Sequence, residues 1–325
     1  MTVSDLVAEL IADFLVVEVG MSEDVRPGKP STLLDINRTA FQIIGVDLSA
    51  FERFRGAVLD LDGNILAVAD IPLDSCTGAA AVAKVESLIS ELLEKTTAPL
   101  LGIGIGSPGI VDFEGVVLSA PNLGWERVEL QALMLERFGK PVVVANDANV
   151  ATLAEHSFGA ADADMMLVKI GHGVGAGLLL GGHLLLGSRF ASGEIGHVVV
   201  GTDGGELCVC GKYGCLETWL AAPRLDAKLA GLPAAEREII LAEAGDRLGI
   251  AMAAIVGALN ISELILSGPP HLLEGTLEAA TTNSIRLRTM AEFHDNLTVR
   301  MTTLGEDIVI RGAGSMVLSR ELGVS

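Results

Sequence analysis

Phe41-Gln-Ile-Ile-Gly-Val-Asp47-Leu48 begins the main body of the chain as an apolar strand that ends in an acid, as strands reaching an active-site edge often do. The next two runs, Gly56 to Asp60 and Ile65 to Ala69, flank Asp62-Gly63-Asn64, a strong hairpin signal. A helix over Ala79 to Glu94 and a buried strand over Leu100 to Ile105 follow, then a strand at Val142 to Ala145 and a helix at Ala148 to His156. Met165 to Ile170 starts a second set of strands, with helices at Arg237 to Leu259 and Gly312 to Leu322. Three meandering strands followed by alternating helix and strand, twice over, predict an α/β fold of two similar lobes with a cleft between them. The expected division is an N-terminal α/β lobe over residues 41–160 and a C-terminal α/β lobe over 161–325.

Upstream of this body the pattern differs. Val3, Leu6, Val7, Leu10, Ile11 and Phe14 fall on one helical stripe, with Asp5, Glu9 and Asp13 opposite. Leu15 to Val19 reads as a short strand, Gly20 to Pro30 as a turn-rich excursion and Ser31 to Ile36 as a returning strand. Helix, strand, loop, strand is the back half of a winged helix-turn-helix, so residues 1–40 are expected to be a partial one, with recognition helix and wing. An amphipathic arm packed on its own body gives the same pattern.

Composition limits the function. Half of the 325 residues are hydrophobic, only 4% are aromatic and 38 are Gly, which excludes a disordered or collagen-like chain. With 22 Lys and Arg against 42 Asp and Glu the net charge is −20, so the overall field repels nucleic acid and any DNA contact must be local. Ile170 to Ser188 has 19 residues without a charge but holds seven Gly and two His, and Leu248 to Ser262 is only 15 residues long. Both read as interior elements rather than membrane spans, which need about 20 predominantly apolar residues. The chain opens on no basic segment followed by an apolar one, and a cytoplasmic location is expected.

Cys208-Val-Cys210-Gly-Lys-Tyr-Gly-Cys215 carries the most specific chemistry. Gly211 and Gly214 allow three thiolates to fold round one ion, and zinc favours four soft or borderline ligands in a tetrahedron. His197 lies eleven residues upstream of Cys208, with Gly201, Gly204 and Gly205 between to return it. A structural Zn²⁺ with a Cys₃His shell is expected, without an open position for a metal-bound water. If one ring nitrogen of His197 binds the metal, the other is fixed in tautomer and can face a ligand hydroxyl. Asn146 and Asp147 follow an apolar strand and start a helix. Asp147 reads either as a helix N-cap or as a carboxylate that works beside Asn146 on sugar hydroxyls. Glu194 stands three residues before His197, and Glu217 two after Cys215, so both are carried by the same loop.

Gly102-Ile-Gly-Ile-Gly-Ser-Pro-Gly109 with Val111-Asp112, Ala120-Pro-Asn-Leu-Gly-Trp125, Asn146-Asp-Ala-Asn149, Gly193-Glu-Ile-Gly-His197 and Cys208-x-Cys-x4-Cys215-Leu-Glu217 together resemble the ROK family (repressor, open reading frame, kinase). The resemblance runs from about Gly45 to the C-terminus. It implies a two-lobed, actin-like ATPase (ribonuclease H-like) fold with a monosaccharide between the lobes. It also implies that Asn122, Asn146, Asp147, Glu194, His197 and Glu217 hold the sugar, while His197, Cys208, Cys210 and Cys215 hold zinc. The spacing from His197 to Cys208 is one residue longer than the family pattern. In kinase members the residue matching Asp147 is the general base for attack on the ATP γ-phosphate.

The phosphate loops depart from that pattern. The family's Asp-x-Gly-Gly-Thr-Lys is here Asp47-Leu-Ser49-Ala50-Phe51-Glu52-Arg53, with side chains where backbone must approach phosphate and an acid beside it. The second loop reads Gly171-His172-Gly173-Val174-Gly175, and the adenosine loop Ser267-Gly268-Pro269-Pro270, where proline removes donors. The expected function is therefore a sugar-responsive regulator, a repressor by its resemblance, that binds a monosaccharide without phosphorylating it. Alternatives are an ATP-dependent hexose kinase using Asp147 and a sugar-binding protein that has lost DNA binding. Thr2 to Glu18, with Arg26-Pro27 before Leu33, resembles the recognition helix and wing of ROK repressors, but the two helices that precede them there are absent, and residues 1–40 carry seven acids against three bases. The chain is expected to be either a truncated form of a repressor or a relic. Expected partners are the sugar effector, operator DNA in a full-length form, and a second copy in a homodimer or higher homo-oligomer. No membrane is expected among them.

Overall fold

A capping box starts the first helix of the computed structural model, which describes residues 2–21, 31–200 and 205–323. Thr2 Oγ1 accepts from the Asp5 amide at 3.2 Å, and the Asp5 carboxylate accepts from the Thr2 amide at 2.8 Å. Two N–H groups that a helix cannot satisfy internally are thereby paired. This helix, α1 (Val3–Ala12), leads into β1 (Val16–Met21) and β2 (Thr32–Ile36), which pair antiparallel. Residues 22–30 of the expected excursion, Arg26 and Pro27 included, lie outside the described residues. No residue of α1 is buried. Its apolar stripe does not pack into the body; Val7 and Leu10 line one shallow groove with Val16, Leu34 and Ile36 of the strand pair.

The first lobe runs through β3 (Gln42–Asp47), β4 (Arg53–Leu59), β5 (Ile65–Pro72), α2 (Gly78–Glu94) and β6 (Leu100–Ser107). A small antiparallel sheet follows, made of β7 (Ile110–Val111), β8 (Val117–Ala120) and β9 (Trp125–Val128), before α3 (Leu130–Phe138), β10 (Val142–Asn146) and α4 (Asp147–Phe158). The second lobe opens with β11 (Met165–Ile170), β12 (Val174–Leu180) and β13 (His183–Leu184), then α5 (Leu216–Leu220), α6 (Ala222–Leu229) and α7 (Ala234–Leu259). It closes with β14 (Glu263–Ser267), α8 (Pro270–Leu273), α9 (Thr276–Arg286), α10 (Ala291–His294), β15 (Thr298–Met301) and α11 (Ile308–Leu322).

The two main sheets repeat one topology. The first has the order β5-β4-β3-β6-β10 and the second β13-β12-β11-β14-β15. In each, the central strand joins an antiparallel meander on one side to two parallel strands on the other. Parallel pairs need helical crossovers, and α2, α3, α7 and α9 are placed along the chain to supply them.

Alternation within β6 shows why the sequence requires this packing. Ile103 and Ile105 are fully buried in the core that also holds Val85, Leu88 and Ile89 of α2, each such side chain contributing about 1.5–3 kcal/mol. On the opposite face a Cβ at Gly104 would lie 2.0 Å from the Ala313 carbonyl oxygen, and one at Gly106 would lie 2.3 Å from Val309. The glycines of Gly102-Ile-Gly-Ile-Gly106 thus form the seat for α11, as the period of two along a strand dictates.

That seat alters the expected division at residue 160. The division separates the sheets but not the helices: α11, the last element of the chain, packs through Ile310, Val317 and Leu318 on Ile43, Ala57 and Leu59 of the first sheet. Conversely, α4 is tied to the second sheet. Buried Glu155 pairs with Arg300 at 3.2 Å and accepts from Thr302 Oγ1, and Arg300 also meets Glu263 at 3.1 Å. Helices α4 and α11 therefore stand between the lobes, and the N-terminus of α4 lies at the cleft. The two uncharged stretches become β12 and β13 with their flanking loops and the second half of α7 with its following turn. Among the described residues no helix is long and apolar enough to cross a membrane.

Candidate functional site

A cleft of about 340 Å³ separates the lobes, at the small end of the roughly 300–1,000 Å³ typical of small-molecule sites. Asn122, Asn146, Asp147, Glu194, His197 and Glu217 all line it, although they come from four separate segments. Asn122 is carried there by the turn Pro121–Leu123 that ends β8.

The cap of α4 is Asn146 and not Asp147. Asn146 Oδ1 accepts from the Ala148 and Asn149 amides, both at 3.0 Å, and its Nδ2 donates to the Gly109 carbonyl at 2.8 Å and to Asp147 Oδ1 at 3.2 Å. An amide one residue earlier satisfies the helix end, so the Asp147 carboxylate is released to the cleft. Asn146 in turn is a brace for Asp147 and for the Gly109 turn.

The second lobe supplies a group of side chains that could hold a metal. The ligand atoms of His197, Cys208, Cys210 and Cys215 lie within 4.8 Å of one another. Cys208 Sγ stands 3.5 Å from His197 Nδ1, and Cys210 Sγ 3.5 Å from Cys215 Sγ. A tetrahedron on Zn–S bonds of about 2.3 Å has edges of about 3.8 Å, so the donor set fits such an ion. The loop is drawn together by backbone bonds, Cys208 N–H to Lys212 O at 2.8 Å and Gly211 N–H to Cys208 O at 2.9 Å, with Gly211 at φ +85°. The extra residue between His197 and Cys208 does not separate the four ligands; Gly201 and Gly204 lie outside the described residues. Burial, with help from the neighbouring thiols, pushes the Cys215 thiol up to about 12, so an ion must displace its proton on binding. With Nδ1 in the cluster, Nε2 is the ring nitrogen left for the cleft that His197 lines.

Two more carboxylates flank this loop. Glu217, in the first turn of α5, accepts from the Val174 amide at 3.4 Å. A Cβ at Gly173 would come 2.9 Å from its Oε2. Glu194 is solvent-exposed, yet desolvation by the cleft walls raises its carboxyl above the ordinary value; Asp147 and Glu217 add to this and His197 opposes it.

Sequence reasoning missed Lys169. Its Nζ lies 2.9 Å from Asp147 Oδ2 and donates to Ser49 Oγ at 2.9 Å. Burial works against its charge, but Asp147 and Asp47 together carry the ammonium above its ordinary value. Desolvation likewise raises Asp47, against the pull of Lys169 and of Ser49, whose amide donates to Asp47 Oδ1 at 2.8 Å. The available signal was small: Lys169 is the sole charged residue in Met165–Ile170, near the C-terminal end of that strand. Beside it Phe51 stacks on His172 with centroids 5.2 Å apart. Lys169 and His172 belong to the second lobe and Ser49 and Phe51 to the first, so both contacts cross the cleft. At the third loop, Pro269 and Pro270 cap and begin α8.

The profile of the ROK family matches residues 43–320. A glucokinase of Halalkalibacterium halodurans is 30% identical over 86% of this chain and 95% of its own. A xylose repressor of Caldicellulosiruptor bescii is 28% identical over 98% of this chain and 88% of its own. Among solved structures, a ROK family transcriptional regulator described as a homologue of the Escherichia coli MLC protein superposes with a TM-score of 0.84 at 24% identity, over 97% of this chain and 87% of that one. The duplicated sheets and interlobe cleft are those of the actin-like ATPase fold, and this chain belongs to the ROK family.

Proposed function

We propose that the chain is a sugar-responsive transcriptional regulator that holds a monosaccharide in its cleft without phosphorylating it. One observation carries this reading: beside the first phosphate loop the cleft is lined by Lys169, bonded to Asp147 and Ser49, and by Phe51 stacked on His172, side chains that stand where a triphosphate would need open backbone. Asp147 Oδ2 already accepts from the Lys169 ammonium and Oδ1 from the Asn146 amide, so both oxygens are engaged. Glu52 adds negative charge next to Phe51, where phosphate needs donors. The remaining acceptors, Asp147, Glu194 and Glu217 with the amide of Asn122, suit the hydroxyls of a neutral sugar, and His197 Nε2 supplies a donor or acceptor fixed by the metal on its other nitrogen. The ion assigned to the Cys₃His set is Zn²⁺, with a structural role.

The relatives support the regulator reading through coverage. A match over 98% of the chain, as with the xylose repressor, must take in most of residues 1–40, whereas the glucokinase match covers 86% and the family profile begins at residue 43. Helix α1 and the β1–β2 pair are accordingly assigned to a winged-helix segment that meets operator DNA as a dimer. Glucose and xylose, the sugars named for these relatives, are the first effectors to test. Titration calorimetry is expected to detect one of them, while incubation with Mg-ATP and the same sugar yields no ADP above the sugar-free control.

The second reading, an ATP-dependent hexose kinase, draws on the 30% identical glucokinase and on Asp147 lining the cleft. Steady ADP production that Asp147→Asn abolishes would establish it and overturn the first.

A further inference from the structure

We propose that Lys169 is a tether between the lobes, a resident cation that holds the Ser49 loop and Asp147 in place before any ligand arrives. The inference deepens the sugar-binding reading but rests on the ligand-free geometry. Lys169 projects from the fifth position of β11 in the second sheet, and its three partners, Asp47, Ser49 and Asp147, all belong to the first lobe. Its side chain is 18% exposed and that of Asp147 15%, so water screens the pair little.

Charge explains why a cation is needed there. Asp47, Asp147, Glu194 and Glu217 lie in or beside one cleft, and Lys169 is the only Lys or Arg among the described residues that line it. Four acids with no counter-charge would repel one another across the gap and drive the lobes apart. The ammonium donates to Asp147 and to the Ser49 hydroxyl at once, and its charge also offsets that of Asp47. The chain thereby carries, as a side chain, positive charge at the place where the two lobes' acids meet. The same tether aligns Asp147: one oxygen is held by Lys169 and the other by Asn146 Nδ2 at 3.2 Å, so the carboxylate presents fixed lone pairs to a ligand. Lys169 is a positioning residue in this scheme.

The test compares the wild type with Lys169→Met, which keeps the stem and removes the charge, and with Lys169→Arg, which keeps the charge. Hydrogen exchange on the ligand-free proteins is read at the amides of residues 47–53 and, as a control for general loosening, at the core amides of α2. Lys169→Met is expected to speed exchange in the 47–53 loop by about tenfold and leave α2 unchanged, with Lys169→Arg close to wild type. Exchange in that loop that stays at the wild-type rate in Lys169→Met, or that rises equally in α2, overturns the tether. Should Lys169→Met not fold, Lys169→Gln gives the same comparison. Glucose and xylose titrations of the same proteins separate the two claims. If the loop responds as expected but neither sugar binds the wild type, the tether stands and the sugar reading fails. If a sugar binds wild type and Lys169→Met alike with no loop response, the reverse holds.

Discussion

The two ends of the cleft are built by opposite means. At one end Cys208, Cys210, Cys215 and His197 converge in a loop with little core of its own, and the loop carries Glu194 and Glu217 to the cleft wall. At the other end the loop after β3 offers Ser49 and Phe51, and the second lobe answers with Lys169 and His172. One end gathers a donor set that fits an ion; the other is crossed by side-chain contacts between the lobes. Neither arrangement disturbs the sheets, whose cores lie elsewhere and whose order is the same in both lobes. The two ends of the cleft can therefore differ through loop residues while the duplicated sheets keep one order.

The largest effect is expected at the metal end. The purified protein should hold one zinc per chain by metal analysis, and Cys215→Ser should lose it. Cys215 is fully buried at the root of the loop, between Val199, which it bridges, and Leu216, which starts α5. Loss of the ion should then release Glu194 and Glu217 together and weaken sugar binding by about 100-fold or more in calorimetry. A metal-free protein with unchanged affinity would show that the loop is irrelevant to the ligand and that the contrast between the two ends is false.

Asp147→Asn sits between the two ends and should have a smaller effect. It removes the acceptor of a charge-assisted bond and should lower sugar affinity about 10–100-fold. It also deprives Lys169 of its nearest partner while Asp47 remains. Urea unfolding should therefore show a loss of about 1–3 kcal/mol, below the 3–5 kcal/mol of a fully buried pair broken at one side. No change in stability would mean that the Lys169–Asp147 pair, 2.9 Å apart in the fold, contributes nothing in solution.

The sequence made the sheets and the metal loop readable because both depend on local pattern. Apolar runs such as Ile43 to Val46 and Met165 to Val168 can only be buried strands here, and three cysteines within eight residues leave few geometries. What stayed hidden depended on contacts between distant segments. Chain order put α11 in the second lobe, because nothing local says that Gly104 and Gly106 are shaped for Ala313 and Val309 some 200 residues later. Asp147 and Asn146 are both good caps, and only the helix geometry decides that Asn146 takes the role. Lys169 carries little local signal, since its partners Ser49 and Asp147 become neighbours only when the lobes face each other.

The smallest effect is expected from Phe51→Thr, which restores a hydroxyl at the closed end. Phe51 is 54% exposed and its stack on His172 is a surface contact, so the substitution should cost no more than about 1 kcal/mol in a thermal melt. It should not create ATP turnover. Ser49 and Ala50 still carry side chains where glycine would admit phosphate, Glu52 still repels it, Pro269 and Pro270 still lack donors, and Lys169 still occupies the Asp147 oxygen. Closure of this end is thus distributed over several residues, each cheap to the fold. Appearance of ADP in the Phe51→Thr protein would instead trace the whole difference between the ends to one aromatic ring, and would place this chain a single substitution from a kinase.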